Sequence, residues 1–303
     1  MSAEPVPTDP TEVFETHRPR LVGLAYRMLG SLGEAEDVVQ ETYLRWHRRA
    51  DGVIDAGRWL RTVTGRLCLD QLRSARVRRE QYKGPWLPEP VPTDGTDPAV
   101  DPAELADSLS MAMLAVLERL SPTERAAFLL REVFDYGYGE VAEVVGKNEA
   151  ACRQLVHRAK RRLAEERPRF EVDRRQKQDL VDRFVAATRG GNLQPLVHLL
   201  DEQVTLWSDG GGKVPAALRP IYGADRVMRL LLGVSRSQPD DLEIEIREIN
   251  GEPGILLRSG GRAIQTFSFD LHRGRAVAIY AVRNPDKLGR FDGDGDGDGD
   301  GDG

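Results

Sequence analysis

Cysteine is nearly absent from this chain: Cys68 and Cys152 are the two thiols in 303 residues. Two cysteines so far apart cannot staple a disulfide scaffold, and neither stands in the paired CxxC spacing of a metal site. No run of 18 apolar residues occurs, and the opening "MSAEPVPTDPTEVF" has no apolar stretch of the signal-segment kind. The expectation is a reduced, soluble, cytoplasmic protein with no membrane partner. Net positive charge is missing too. The formal charge is −6, but the closing "FDGDGDGDGDGDG" alone carries six Asp; without them, 43 acidic residues face 43 basic ones. Charge is therefore segregated along the chain, and its overall sign does not exclude an anionic partner. The tail also lacks the glutamate that closes a calcium loop, and a Gly-Asp repeat cannot bury a core. It reads as disordered over 291–303. No metal and no cofactor are expected.

What is present changes character twice. Between Gly84 and Pro102, "GPWLPEPVPTDGTDPAVDP" holds six of the 18 prolines. Proline removes backbone donors and disfavours helix at the residue before it, so this stretch reads as an extended, flexible linker. Near Arg167–Val172 a second change begins, after which apolar residues alternate with period two. "LEIEIREI" and "QTFSFDL" show that alternation, and "HRGR" supplies a turn before "AVAIYAV". The expected layout is a helical block at 1–83, a linker at 84–106, a second helical block at 107–167 and an α+β domain at 174–290.

Charge concentrates in "CRQLVHRAKRRL", residues 152–163. On a helical wheel, Ala151, Cys152, Leu155, Val156, Ala159 and Leu163 fall within an arc of roughly 140°. Arg153, Gln154, His157, Arg158, Lys160 and Arg161 take the other side, and Arg162 lands among the apolar positions. A solvated surface helix is the plain reading of such a pattern. What precedes it points further. "SPTERAAFLLREVF" opens with Ser121 as N-cap, Pro122 at the first helical position and Glu124 completing a capping box. "YGEVAEVVGKNEA" then spells a short helix ending at Gly146, a tight turn and Asn148 as the next cap. That is a helix-turn-helix, whose second helix enters a DNA major groove. Arg153, Gln154 and His157 are placed to reach base edges there; Arg158, Lys160 and Arg161 lie nearer the phosphates.

The stretch from "LSPTERAAFLLREVF" to "HRAKRRL" resembles region 4 of extracytoplasmic-function sigma factors, the module that reads the minus-35 promoter element. Arg158-Ala159-Lys160 matches the basic pattern with which that family ends the module. The first block is similar to region 2. In "GEAEDVVQETYLRWHRR", Val39, Thr42, Tyr43 and Trp46 share one helix side, while Asp37, Gln40, Glu41 and Arg45 share the other, with Leu44 among the polar residues. A polar face carrying one leucine suits a protein interface. The resemblance implies that Asp37, Gln40, Glu41 and Leu44 contact core RNA polymerase. "RWLRTVTGRLCLDQLRSARVRR" resembles the part that captures the melting minus-10 element, which implies roles for Trp59, Arg66, Asp70, Arg73 and Arg76. Arg58, Arg61, Arg78 and Arg79 extend the same phosphate-tracking surface, and an aromatic ring beside a basic groove suits single-strand capture. For Trp59 a core role stands beside the stacking one. Many relatives carry Asn where this chain has Arg66.

Residues 174–290 resemble the SnoaL-like cone, a curved sheet wrapped by helices, which some of these sigma factors carry as an extension. The fold class expected is therefore multidomain: two all-α domains followed by an α+β SnoaL-like cone. Three motifs carry the likeness: "WLPEP" at 86–90, "DGGGK" at 209–213 and "NPDKL" at 284–288. It implies regulatory contacts by Trp86, Leu87, Pro88, Asp209, Gly210, Gly211, Gly212, Lys213, Asn284, Pro285 and Asp286. From the residues alone, the glycine loop has three readings: an anion-binding nest, a plain turn, or a mobile loop that touches the linker or the helical modules. Asp209, His198 and His272 are the candidates for a general base in an enzyme, though no spacing joins two of them in one site, and fold alone does not carry chemistry. A small-ligand site in the cone stays open. The leading expectation is a non-enzymatic sigma factor that binds core polymerase and the minus-35 and minus-10 elements, modulated by its cone. The alternatives are a helix-turn-helix regulator acting without polymerase, and a ligand-sensing or cyclase-like domain fused to DNA-binding helices.

Overall fold

Side-chain caps set the limits of the helices in the first half. The computed structural model describes residues 9–95, 110–166, 174–190 and 194–292. Asp9 accepts the Thr11 amide ahead of α1 (Pro10–Leu29), and Gly30, at φ 71°, ends it in the left-handed region that suits glycine. Ser31 accepts the Glu34 amide at the start of α2 (Leu32–His47). The long α3 (Ala56–Glu80) packs on both, burying Leu24, Met28, Leu32, Val39, Leu60 and Leu69. A short α4 (Met111–Leu117) follows, and then the full Ser121–Glu124 capping box opens α5 (Pro122–Glu132). α6 (Tyr138–Val145) ends at Gly146, also at φ 71°, and Asn148 Oδ1 accepts the Ala151 amide at 2.8 Å to start α7 (Glu149–Glu166). The helix-turn-helix forms as its caps prescribe.

The chain divides into two compact units: residues 9–81 with 113–166, and residues 82–95 with 110–112 and 174–292. In the first, both helical blocks share one body. The last carbonyls of α1 have no partner inside their own helix, and arginines from elsewhere supply one. Arg125, 2% exposed, donates to the Arg27 carbonyl at 3.0 Å, and Arg79 donates to the Leu29 carbonyl at 2.6 Å. Both guanidiniums pair with Glu118. Burial pushes the Arg79 pKa down, against the opposing pull of Glu118. Arg79 is thus an internal brace and not part of a phosphate-tracking surface, a correction that only the tertiary contact reveals.

In the second unit, α8 (Arg174–Arg189) and a 3-10 turn at Gln194–Leu199 precede β1 (Leu200–Asp209), β2 (Ile221–Tyr222) and α9 (Ala224–Ser235). Then come β3 (Glu243–Ile249), β4 (Glu252–Ser259), β5 (Arg262–His272) and β6 (Arg275–Val282). They form one sheet in the order β2-β1-β6-β5-β4-β3, with β1 parallel to β6 and the remaining neighbours antiparallel. Register shifts in β1/β6, β4/β5 and β5/β6 are bulges, which bend the sheet around the core that α8 and α9 cover. Arg273 (φ 51°) and Gly274 (φ 76°) make the two-residue turn anticipated in "HRGR". The alternation test does not reveal β4, because its middle residues, Pro253 to Leu257, are all buried.

The proline-rich stretch is not a free tether over 87–93, where every residue is buried. The Thr93 amide donates to the Glu248 carbonyl at 3.0 Å, and the Asn250 amide to the Val91 carbonyl at 2.9 Å. Backbone pairing of this kind covers the exposed edge of β3. The linker end at 96–106 and the Gly-Asp tail beyond Asp292 lie outside the described residues. Among the described residues, no helix is long and apolar enough to cross a membrane.

Candidate functional site

α7 presents its donors as the wheel prescribes. Cys152, Leu155, Val156, Ala159 and Leu163 are buried, while Arg153, Gln154, His157, Arg158, Lys160 and Arg161 are exposed. Arg162, read among the apolar positions, instead turns outward and pairs with Glu124 at 2.8 Å. Arg158 reaches the same carboxylate, Lys160 pairs with Glu132, and Arg153 pairs with Glu149 while lying 4.8 Å over the Tyr138 ring. Burial alone would raise the Glu124 pKa. The Ser121 hydroxyl and amide, with Arg162 and Arg158, outweigh it and hold the carboxyl below its ordinary value. These pairs orient the cations without burying them, so they remain available to a polyanion.

On α2, Asp37 and Gln40 are exposed, Leu44 is 43% exposed, and Glu41 is half-buried with Arg45 2.8 Å away. The opposite side packs inward: Val39, Thr42 and Trp46 are buried. All four residues expected to meet a protein partner therefore share one outward face.

α3 is different. Arg58 and Arg66 pair with Glu143 of α6 at 3.1 and 3.5 Å, and Arg61 pairs with Glu140 at 3.4 Å. Arg66 also donates to the Glu143 carbonyl, through Nη2 at 3.1 Å and Nε at 3.3 Å. The helices approach closely where α3 has Gly65: a Cβ there would stand 2.9 Å from Val144 Cγ1. Three arginines of the basic face expected to hold melting DNA are thus engaged by the first helix of the helix-turn-helix, Arg58 and Arg66 while still half-exposed. Trp59 is half-buried and packs on Trp46, ring centroids 5.6 Å apart, which favours the core role. Asp70 and Arg73 are exposed and paired with each other at 3.2 Å. The side chains of Arg76 and Arg78 lie outside the described residues.

In the second unit the three motifs meet at Asp209, at the end of β1 and 0% exposed. Its Oδ1 accepts from the Tyr82 hydroxyl at 2.6 Å and the Gly211 amide at 2.9 Å. Its Oδ2 accepts from the Leu87 amide at 2.9 Å and from Lys287 Nζ at 2.8 Å. Lys287 Nζ also donates to the Leu87 carbonyl and sits 4.1 Å from the centre of the Trp86 ring. Asn284 Nδ2 donates to the Tyr82 hydroxyl at 3.0 Å. Burial, then the neighbouring Asp209, push the Tyr82 pKa up. The glycine loop is braced from both sides. Gly211 (φ 64°) and Gly212 (φ 71°) adopt left-handed backbone, and any Cβ on Gly211 would strike Asn284 at 2.5 Å. The anion that a glycine amide holds here is the chain's own Asp209. Lys213 and Asp286 pair with each other at 2.6 Å and brace the loop from outside; Pro285 opens the short turn Pro285–Lys287. Pro88 is buried with the rest of the linker segment.

Lys287 and Tyr82 escaped sequence reasoning, although they touch the buried carboxylate directly. A lysine in "NPDKL" looks like a surface residue, and Asp209, the Leu87 carbonyl and the Trp86 ring together make its burial tolerable. The one available signal was the adjacency of Lys287 to residues already singled out. The general-base candidates do not converge. Sheet register puts Asp209 level with Val282 and Thr266, whereas His272 is level with Arg275 at the other end of β5, about 20 Å away by strand rise. His198 is exposed in the 3-10 turn. Among the described residues, no group of three His, Cys, Asp or Glu side chains is placed to hold a metal.

Comparison with known proteins extends this geometry. Residues 13–78 match the Sigma-70 region 2 family and residues 110–163 match Sigma-70 region 4. The chain is 39% identical to the ECF RNA polymerase sigma factor SigJ of Mycobacterium tuberculosis, over 91% of this chain and 92% of that protein. It is 34% identical to the probable ECF RNA polymerase sigma factor SigI of the same species, over 91% and 93% of the two chains. The crystal structure of Mycobacterium tuberculosis SigJ superposes with a TM-score of 0.74 at 35% identity, covering 91% of this chain and 97% of that one.

Proposed function

The chain belongs to the extracytoplasmic-function RNA polymerase sigma factors, and on that premise we propose how its two units divide the work. It binds core RNA polymerase and directs initiation at specific promoters. In our reading, Asp37, Gln40, Glu41 and Leu44 on α2 form the polymerase contact. Arg153, Gln154 and His157 read the minus-35 element, with Arg158, Lys160 and Arg161 on its phosphates. Arg66, Asp70, Arg73 and Arg76 engage the minus-10 element, with Trp59 as support from below. The observation that carries this reading is the outward row of α7 donors on a capped helix-turn-helix whose apolar side is fully buried. Phosphate contacts give affinity and base-edge contacts give specificity.

The chain acts by binding and not by catalysis. Asp209, the best-buried general-base candidate, already accepts four hydrogen bonds, which fill the acceptor capacity of a carboxylate. Its role is to clamp residues 82–93, the connection between the two promoter-reading blocks. A cone that grips this connection limits how far the two blocks separate, which is how the second unit modulates the first. The contact of Arg58, Arg61 and Arg66 with α6 has to open before α3 meets DNA, since the same guanidiniums serve both partners.

Run-off transcription with purified core polymerase tests the assignment. Asp37→Arg abolishes co-purification with core enzyme and run-off product while the circular dichroism spectrum stays unchanged. Unaltered polymerase binding would refute the α2 assignment and leave a regulator that acts without polymerase. Truncation to residues 1–167 changes run-off yield if the cone modulates activity; identical yield removes that role.

A further inference from the structure

The end of the sheet that holds Asp209 has a second face. Successive residues of a strand point to opposite sides. Asp209, Val282 and Thr266 are register partners, and the Asp209 carboxylate meets the linker. Their neighbours Ser208, Ala281 and Phe267 are also register partners, and they face the other way, into a cavity of about 280 Å³. Gln265 and Arg283, one alternation further out on the same face, line it as well. The rest of its wall is apolar, with Leu206, Leu230, Leu231 and Val234. A smaller hollow of about 50 Å³ shares Leu231, Val234 and Phe267 and extends toward Phe184 and Leu257.

The polar groups in this apolar space are one cation and two neutral hydrogen-bonding side chains. Arg283 donates through Nη1 to the Pro215 carbonyl at 2.7 Å, while its Nε is buried without a partner. Among the described residues no carboxylate pairs with it, and burial pushes its pKa down. A guanidinium nevertheless stays charged in proteins, and a half-buried cation without a counter-ion is partly desolvated at a cost. Ser208 and Gln265 are buried, and both line the cavity beside Arg283. A guanidinium fork, an amide and a hydroxyl on an apolar hollow complement a carboxylate with a hydrocarbon or aromatic body.

We propose that this cavity takes a small monocarboxylate with an apolar body, its carboxylate on Arg283, and that occupancy is relayed to the linker clamp. One loop joins the two sites. Gly210 to Lys213 belong to the Asp209 side, and Pro215 to Ala217 wall the cavity. The Arg283 and Asn284 amides donate to the Asp209 carbonyl at 2.7 and 3.0 Å. A shift of Arg283 toward a bound carboxylate therefore pulls on the backbone of the residue that holds the linker. The relay rests on the clamp reading given above; the binding site does not.

Calorimetry on the full-length chain with 3-phenylpropanoate, and with its amide as the neutral control, tests the site. The acid binds saturably, and Arg283→Gln weakens it by about tenfold or more while Arg283→Lys recovers part of the loss. The amide binds weakly and alike to both. Equal affinity of the acid for wild type and Arg283→Gln, or no saturable binding at millimolar acid, overturns the site. If Arg283→Gln does not fold, Ala281→Leu, which fills the floor of the cavity, decides: loss of binding supports the site and unchanged binding overturns it. Hydrogen exchange then tests the relay without polymerase present. Saturating acid slows exchange of the Leu87 amide more than that of the Gly223 amide, which bonds the Val204 carbonyl and no linker residue; an equal change at both refutes the relay and leaves the site standing.

Discussion

α3 and α7 are both arginine-rich, and they meet different partners. α7 pairs its cations inside its own module, with Glu149, Glu124 and Glu132, and keeps Gln154 and His157 outward. α3 pairs Arg58, Arg61 and Arg66 across to Glu140 and Glu143 of α6. The pairs of α7 stay within its own module, whereas those of α3 reach across to a helix of the second block. The difference teaches that an exposed arginine is not yet a free one.

The largest way to break this comparison is to remove what ties α3 to α5, on which α7 packs. Glu118→Ala leaves Arg79 and Arg125 together without their shared carboxylate, and urea unfolding should show a loss of about 3–5 kcal/mol. A loss below 1 kcal/mol, at the level of an exposed ion pair, would mean that the buried cluster does not hold the body together. Gly65→Ala comes next. Its Cβ meets Val144, so overpacking should cost about 1–3 kcal/mol and push α6 away from α3. Binding of a single-stranded minus-10 oligonucleotide, followed by fluorescence anisotropy, then tightens; unchanged binding would mean that α6 does not mask α3.

Acid sharpens the contrast from the α7 side. Because the folded Glu124 pKa is lowered, its contribution is complete above the ordinary carboxylate value of about 4.3 and is lost as pH falls through the folded value. Glu124→Gln should therefore flatten the acid limb of a thermal-stability profile and leave its neutral limb parallel to wild type. An acid limb as steep as before would remove Glu124 from the account. The smallest effect on stability belongs to Arg158→Ala, at most about 0.5 kcal/mol, since the side chain is exposed. Its signature is in binding: the dependence of minus-35 affinity on salt should fall by about one in slope, uniformly across sequences. A sequence-selective loss would instead make Arg158 a base reader.

Much of the helical half was legible because its signals are local. Asn148, Ser121 and Gly146 act within three or four residues, so the helix limits and the turn of the helix-turn-helix followed from their spacing. The apolar arc of α7 was equally plain, and Arg162, the one polar residue the wheel puts within it, pairs outward with Glu124. The pleated half was legible only in part. β3 and β5 alternate, but β4 does not, since both its faces are covered and period two vanishes. Among candidate residues, the motifs at 86–90, 209–213 and 284–288 were visible as unusual, while Lys287 and Tyr82 looked ordinary.

By itself, the amino-acid sequence determined the caps, the amphipathic faces, the hairpin turn and the family, because each depends on residues close enough to interact through a turn or two of backbone. The tertiary structure alone decided that Arg79 braces the interior, that Arg66 faces Glu143, and that Asp209 holds an amide 122 residues away. Those outcomes turn on which surfaces come together, and those around Arg79 and Asp209 share a low-dielectric interior. There, a charge keeps its place only when a partner of opposite sign, or a full set of donors, arrives from a distant part of the chain.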